Sequence, residues 1–160
     1  MDEHDVATEL GQPGARDLLE TGQLTRLAYT GADGLPRVIP IGFLWTGTAI
    51  VVCTVPTSPK ARALAKRPEV ALVVDAGDTP ATARSVSVRG TATLETVDGV
   101  APEYLAAAAK GMSGEEYAGF EEAVRALYRQ MVRITIVPRW ARYFEFGSGR
   151  VPRFLAELGA

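Results

Sequence analysis

The chain has 160 residues, enough for one domain with a sizeable apolar core. Its 19 acidic and 17 basic side chains leave a net charge of −2, which argues against a nucleic-acid-binding or membrane-surface protein. No apolar run reaches membrane-spanning length, and the acidic N-terminus is unlike a signal peptide. Cys53 is the single cysteine, so no internal disulfide can form, and we expect a buried thiol in a cytoplasmic protein.

Strand patterns dominate the chain, with a few short helices between them. Residues 1–12 are acidic and unpatterned, so we expect a loosely ordered N-terminus before a single domain over residues 13–160. Helical patterns cover 13–20, 102–110 and 115–130, and strand patterns cover 24–30, 37–45, 49–54, 70–75, 84–95, 131–137 and 139–146. The last two strands are separated at Pro138, which has no N–H for a strand ladder. The pattern predicts a mainly β fold with α insertions, an antiparallel barrel of six or seven strands.

Residues 54–74 carry the most informative pattern: a strand end, a short loop, a short helix and a return strand. Ser58 is a favourable N-cap, Pro59 suits the first helical position, and Pro68 ends the helix. The opening turn presents free backbone N–H groups, the hydroxyls of Thr57 and Ser58, and the ammonium group of Lys60. Such a turn favours a bound anion, although a capped helix with a solvated lysine has the same pattern.

Several familiar catalytic constellations are missing. His4, in the N-terminal segment, is the only histidine, so Ser-His-Asp and Cys-His mechanisms have no base. Cys53 cannot form a zinc site alone, and no carboxylate cluster has metal-ligand spacing. The sequence has no glycine-rich dinucleotide loop and no Walker-type phosphate loop. If the protein is an enzyme, we therefore expect a cofactor to supply the difficult step.

Several segments stand in a characteristic order along the chain. They are Gly34-Leu35-Pro36-Arg37-Val38-Ile39-Pro40-Ile41, Thr54-x-x-x-Ser58-x-Lys60-Ala61, Arg67-Pro68-x-Val70-Ala71-Leu72, the strand over 84–92, and Ile134-x-x-x-Pro138. Together they resemble the pyridoxamine 5′-phosphate oxidase-like superfamily, whose members are flavin- and deazaflavin-binding split β-barrels. The likeness runs from about residue 18 to residue 146, most of the chain.

The resemblance implies a split barrel that forms a homodimer, with FMN or the deazaflavin F420 lying across the subunit interface. Arg37 and Lys60 match family positions that hold the cofactor phosphate, and the backbone of residues 38–41 would run beside the ring. Ser85 matches a side chain that reaches a cofactor bound mainly by the partner strand. The implied cofactor-binding residues are Arg37, Val38, Ile39, Pro40, Ile41, Thr54, Thr57, Ser58, Lys60 and Ser85. No catalytic side chain and no metal is implied, because the ring carries the hydride.

The implied activity is that of an oxidoreductase acting on a small organic substrate, without nucleic-acid or membrane partners. Oxidation of pyridoxine phosphate itself is not expected, because Pro59 replaces a second basic residue beside the lysine and segment 149–153 contains no histidine. Trp140, Phe144 and Phe146 share a strand face and are placed to wall the pocket, although such a stripe also suits a core or a dimer interface. A non-catalytic flavin carrier and a haem- or bilin-handling barrel are the alternatives.

Overall fold

The computed structural model describes residues 1–158, which form six α-helices and seven β-strands. The helices are α1 (Glu3–Leu10), α2 (Pro13–Thr21), α3 (Pro59–Leu64), α4 (Pro102–Ala109), α5 (Gly114–Leu127) and α6 (Arg153–Ala156). The strands are β1 (Leu24–Thr30), β2 (Pro36–Gly42), β3 (Leu44–Trp45), β4 (Ile50–Thr54), β5 (Glu69–Ala76), β6 (Arg84–Asp98) and β7 (Gln130–Glu145). A 3-10 turn covers Phe146–Ser148. No helix in this part of the chain combines the length and apolar character needed to cross a bilayer.

The strands form one antiparallel sheet in the order β2-β1-β5-β6-β7-β4-β3. β2 and β3 lie at opposite edges of this sheet, yet only Phe43 separates them in the chain. The sheet therefore has to curl until its two edges meet, which makes a barrel split beside Phe43. Phe43 is fully buried and divides the strand predicted over 37–45 into two. The predicted mainly β split barrel of antiparallel strands is confirmed.

Two apolar cores lie on opposite faces of β4. The barrel is filled by inward-facing side chains, among them Leu27, Ile50, Val52, Leu72, Val74, Val86, Val88, Ile134 and Ile136. Val51 and Cys53, the alternate residues of β4, pack instead beneath α4 and α5, against Leu105, Val124 and Met131. All of β4 is buried for this reason. The sequence predicted the helices but not the second core, because no local pattern shows which strand they cover.

β7 continues through Pro138 instead of breaking there, so the prediction of two separate strands was wrong. The pairing of β7 with β6 shifts by one residue between Arg89 and Gly90, and Gly90 lies opposite Pro138. A bulge of this kind accommodates a residue that has no N–H for the ladder. Glycine is required on the partner strand, because a Cβ at Gly90 would lie 2.5 Å from the carbonyl oxygen of Val137.

The N-terminus forms helix α1, contrary to the expectation of loose order over residues 1–12. Asp2 caps the helix, and its carboxylate accepts a hydrogen bond from the N–H of Asp5 at 2.8 Å. Val6 and Leu10, one turn apart, are buried in the barrel core. The expectation failed because two apolar residues give little periodicity, and because α1 packs on β7, which is distant in sequence.

Glu9 joins α1 to the last strand and to the C-terminal segment. Its carboxylate accepts hydrogen bonds from the backbone N–H of Tyr143 at 2.9 Å, from Arg142 at 3.0 Å and from Arg150 at 2.9 Å. Burial works to raise the pKa of Glu9, but the hydrogen bonds from Tyr143, Arg150 and Arg142 outweigh it, so the pKa lies below its usual value. One carboxylate thus organises both ends of the chain.

We expect Glu9→Gln to lower the free energy of unfolding at neutral pH by about 1–2 kcal/mol, because a charged acceptor for several donors is lost. The folded pKa is depressed, so the carboxylate contributes fully above its ordinary pKa of 4.5 and loses this contribution as the pH falls through the folded value. Urea unfolding at neutral pH and at an acid pH below the folded pKa of Glu9 measures the effect. The wild-type and variant curves should converge in acid. Glu3→Gln, on the same helix, is the control, and an equal difference at both pH values would contradict the prediction.

Gly90→Ala should lower the free energy of unfolding by about 2–3 kcal/mol, because the added methyl group meets the backbone of Val137 and the bulge must shift. Gly119→Ala, in α5, is the matched control. A Cβ there meets no atom within 4 Å, and alanine should stabilise the helix by about 0.5–1 kcal/mol. Denaturant unfolding of the two variants should therefore shift in opposite directions. A destabilisation of the same size in both would show that the bulge is not responsible.

Candidate functional site

The turn that leads into α3 has the predicted geometry. Ser58 caps the helix: its Oγ accepts a hydrogen bond from the N–H of Ala61 at 3.2 Å, and Pro59 occupies the first helical position. Thr54, at the end of β4, and Ser58 are buried, whereas Thr57 is exposed. Because α3 spans only six residues, its dipole is weak, and an anion bound here depends on side chains for positive charge.

Lys60 lies in the first turn of α3 and is half-buried. Burial lowers the pKa of its ammonium group. Within residues 1–158, Lys60 makes no hydrogen bond and no salt bridge. A partly desolvated cation without a partner is unfavourable, and an anion bound beside it would compensate the charge.

Arg37 lies at the start of β2, beside the turn from β1. Its guanidinium group pairs with Asp33 at 2.6 Å and donates to the carbonyl groups of Leu35 at 3.4 Å and Pro36 at 3.2 Å. The hydrogen bond from Arg37 is the main reason why the pKa of Asp33 is lowered. In the described chain no hydrogen bond joins Arg37 to the α3 turn. The two predicted phosphate ligands are therefore held by separate elements, and Arg37 is engaged by its own hairpin.

Arg67 brings the end of the α3 segment to that hairpin, a role that local sequence does not reveal. Its Nη1 donates to the carbonyl oxygen of Gly31 at 3.1 Å. Gly31 is buried, and a Cβ at this position would lie 3.1 Å from Cζ of Arg37. Arg67 thus connects the segment after α3 to the hairpin that carries Arg37.

β2 is an edge strand that pairs only with β1 among the described strands. Ile39 and Ile41 are half-buried against the barrel core. Val38 points outwards and is 69% exposed, and Pro40 is exposed as well. One backbone edge of residues 38–41 is therefore free of strand partners.

Ser85 lies apart from the other predicted residues. It pairs across the sheet with Phe144, whereas the register connects Arg37 through β1 and β5 to Gly90. Ser85 and Gly90 are separated by about 17 Å along β6. Within one chain, the structure does not bring Ser85 to the end of the sheet where Arg37 lies.

The predicted aromatic stripe faces the outside of the barrel. Trp140 and Phe144 alternate with Ala141 and Tyr143, which are buried. Phe146 follows in the 3-10 turn and is 39% exposed. The three predicted aromatic side chains are therefore not part of the barrel core.

Cavities open at several places on the surface of residues 1–158. One, of about 780 Å³, lies between α1, α2 and the connection from β3 to β4. A second, of about 310 Å³, lies beneath α4 and α5 beside β2 and β4. An open groove of about 470 Å³ crosses the outer face of β1, β5 and β6. Of the predicted cofactor-binding residues, Ile41 lines the second cavity and the others line none of these three.

The described residues offer little acid–base chemistry of their own. Between residues 1 and 158, no three His, Cys, Asp or Glu side chains come together as a metal site, and His4 is exposed on α1. Burial, and next the negative charge of Glu103, raises the pKa of Cys53 to about 11, so this thiol stays protonated. What these residues offer is a half-buried ammonium group at Lys60 and a free backbone edge on β2.

Comparisons with known proteins agree with this architecture. Among solved structures, a conserved hypothetical protein from Mycobacterium tuberculosis has a TM-score of 0.62 and 24% identity, covering 96% of this chain and 90% of that chain. An F420 reductase has a TM-score of 0.59 and 24% identity, covering 79% and 94%. A heme-binding protein from Mycobacterium smegmatis has a TM-score of 0.60 and 22% identity, covering 90% and 55%. At these identities the likeness shows the fold alone.

The family comparison goes further than the fold. Comparison with curated protein sequences gave no match. The family model described as pyridoxamine 5′-phosphate oxidase matches residues 12–143, from just before α2 to near the end of β7. Because the match covers most of the chain, the protein belongs to the pyridoxamine 5′-phosphate oxidase family.

Proposed function

We propose that the protein is an oxidoreductase that uses FMN or F420 to move hydride or electrons to or from a small organic substrate. Lys60 is the observation that carries the proposal, because it is half-buried and has no hydrogen-bonding or ionic partner in the described chain. A cofactor phosphate would supply the negatively charged partner that this ammonium group lacks. Membership of the family supports the same conclusion.

Thr57, Ser58 and Lys60 would hold the phosphate from the α3 side. The Oγ of Ser58 accepts a hydrogen bond from Ala61, so its own O–H remains available to a phosphate oxygen. Arg37 would reach the phosphate by sharing its guanidinium group with Asp33. This exchange costs little, because the pair is exposed to solvent and a phosphate carries more charge than a carboxylate.

The free edge of β2 suits a flat ring. Prolines in a sheet favour positions whose nitrogen points away from the neighbouring strand. Pro36 and Pro40 fit such positions in β2. Val38 lies two residues from each of them, so its backbone nitrogen points the same way. The N–H of Val38 is then available to a carbonyl group of the ring, while Ile39 and Ile41 anchor the strand on the barrel core.

The chain's own contribution is to bind, to orient and to exclude water. When bound, the cofactor ring supplies the hydride chemistry, so no side chain of this protein has to act as a general acid or base. FMN and F420 both carry a phosphate and a tricyclic ring, and both fit these contacts. Pyridoxine phosphate is not the proposed substrate, because Pro59 stands beside Lys60 in place of a second basic residue and residues 149–153 contain no histidine.

A homodimer would complete the site. Leu35 and Val38 are 59% and 69% exposed beside the free edge of β2, and a second copy would cover such apolar surface. Ser85, about 17 Å from the Arg37 end of the sheet, would then serve the cofactor held mainly by the other subunit. Each cofactor would thus lie across the subunit interface.

Lys60→Ala should weaken cofactor binding by about 10- to 100-fold, the effect of removing a charge-assisted contact. Isothermal titration with FMN and with F420 measures the affinity and identifies the preferred cofactor. Lys66→Ala removes an exposed lysine just after α3 and should leave the affinity unchanged. Lys60→Arg should retain part of it. If Lys60→Ala binds both cofactors as tightly as the wild type does, the phosphate does not lie at Lys60.

The same preparation separates the two alternative functions. A non-catalytic carrier would bind the cofactor but show no turnover with reduced nicotinamide, or with reduced F420, and a panel of acceptors. A haem-handling barrel would develop a Soret band with haemin. The only histidine, His4, is exposed on α1, which does not favour axial ligation of haem.

A further inference from the structure

A cavity of about 310 Å³ lies between β2, β4, α4 and α5, and we call it the α4–α5 cavity. Its lining includes Ile41, Cys53, Glu103, Tyr104, Ala107 and Glu116. α4 and α5 are inserted between β6 and β7 and add no strand to the barrel. The volume lies at the lower end of the range for small-molecule sites, which is about 300–1,000 Å³.

The walls of the α4–α5 cavity are mainly apolar and aromatic. Tyr104 and Phe120 both line it, with their ring centroids 5.9 Å apart and an interplanar angle of 25°. Val51 and Cys53 form the side contributed by β4. Such walls favour a flat apolar molecule, because its surface is removed from water and it meets aromatic faces.

The charged side chains at the α4–α5 cavity are carboxylates. Glu103 is held by Arg133 at 3.0 Å, which balances its charge. Glu116 is exposed at the cavity and has no ionic partner among residues 1–158. No lysine or arginine of the described chain lines this cavity. Glu116 would repel an anionic ligand, and no basic side chain in the lining would offset this repulsion. A neutral ligand would not be repelled, and a cationic ligand would be attracted.

The α4–α5 cavity adjoins the strand that the proposed function assigns to the cofactor ring. Ile41 and Gly42 belong to β2 and line the cavity. A Cβ at Gly42 would lie 3.9 Å from the Cβ of Ala107, so α4 packs closely on β2 through small residues. A molecule in the cavity would therefore lie beside the end of residues 38–41.

We propose that the α4–α5 cavity binds a flat, apolar molecule that is uncharged or cationic. Its use as the substrate pocket of the redox reaction rests on the proposed function. Binding itself does not rest on it, because Ile41 is the only lining residue among those assigned to the cofactor.

A charge series of one ring system tests the proposal. Naphthalene-2-methanol is neutral, 2-naphthylmethylamine is cationic at neutral pH, and 2-naphthoate is anionic, with nearly the same shape. Titration of the full chain followed by naphthalene fluorescence should show binding of the first two compounds and about tenfold weaker binding of naphthoate. If none of the three binds, or if naphthoate binds as tightly as the alcohol, the proposal is overturned.

Two pairs of variants locate the binding. Glu116→Lys should strengthen naphthoate binding and weaken amine binding, whereas Glu115→Lys changes the neighbouring exposed residue outside the lining and should do neither. Ala107→Trp should abolish binding of the alcohol, whereas Ala106→Trp, on the exposed side of α4, should not. If the two variants of either pair changed naphthalene binding equally, the compounds would not bind in the α4–α5 cavity.

Turnover then tests the role of the pocket separately from the proposed function. Ala107→Trp should raise the KM for the organic substrate and leave FMN or F420 affinity unchanged. Loss of cofactor binding in Lys60→Ala with intact naphthalene binding supports two adjoining sites. Naphthalene binding without any cofactor binding in the wild type would refute the redox function and leave the cavity as a ligand site.

Discussion

Burial of Phe43 closes the barrel. This residue alone connects β2 to β3, which lie at opposite edges of the sheet. The sheet must therefore curve until its two edges meet beside Phe43, whose side chain is buried in the core. The ammonium group of Lys110 lies 3.7 Å from the ring centroid of Phe43 and donates to the carbonyl oxygen of Gly22 at 2.9 Å. Burial lowers the pKa of Lys110 to about 8, while the ring face and the carbonyl group favour the charged form. The end of α4 is thereby fixed beside the split.

β4 connects the barrel core to the α3 turn with Lys60 and to the α4–α5 cavity. Its inward side chains belong to the barrel core, and its outward side chains, Val51 and Cys53, form part of the second core and of the α4–α5 cavity. The strand ends at Thr54, from which the chain turns directly into α3 and Lys60. A strand buried on both faces has little freedom to move. The turn that we propose as the phosphate site and the α4–α5 cavity are therefore positioned by the same strand.

The charged side chains divide according to their partners. Arg150 and Arg142 are engaged by Glu9 and stabilise local structure, and Arg37 is paired with Asp33 in its own hairpin. Lys60 is different, because burial lowers its pKa and no acidic group lies against it in the described residues. Free energy spent on desolvating a cation is recovered when an anion binds, which is why this lysine, rather than the arginines, carries the functional proposal.

Local chemistry is sufficient for many of the elements and for one turn. The alternation of Val86 and Val88 in β6 and the Ser58-Pro59 cap of α3 depend only on neighbouring residues, and both were predicted from the sequence. Tertiary contacts decided the rest. Pro138 stays within a strand because Gly90, far away in the chain, lets the backbones approach, and α1 is ordered because β7 supplies partners for Glu9. The engagement of Arg37 by Asp33, the separation of Ser85 and the α4–α5 cavity likewise depend on side-chain geometry and on surfaces from distant segments. No periodicity records such contacts, since hydrophobic patterning reports which residues are buried and not which surfaces meet.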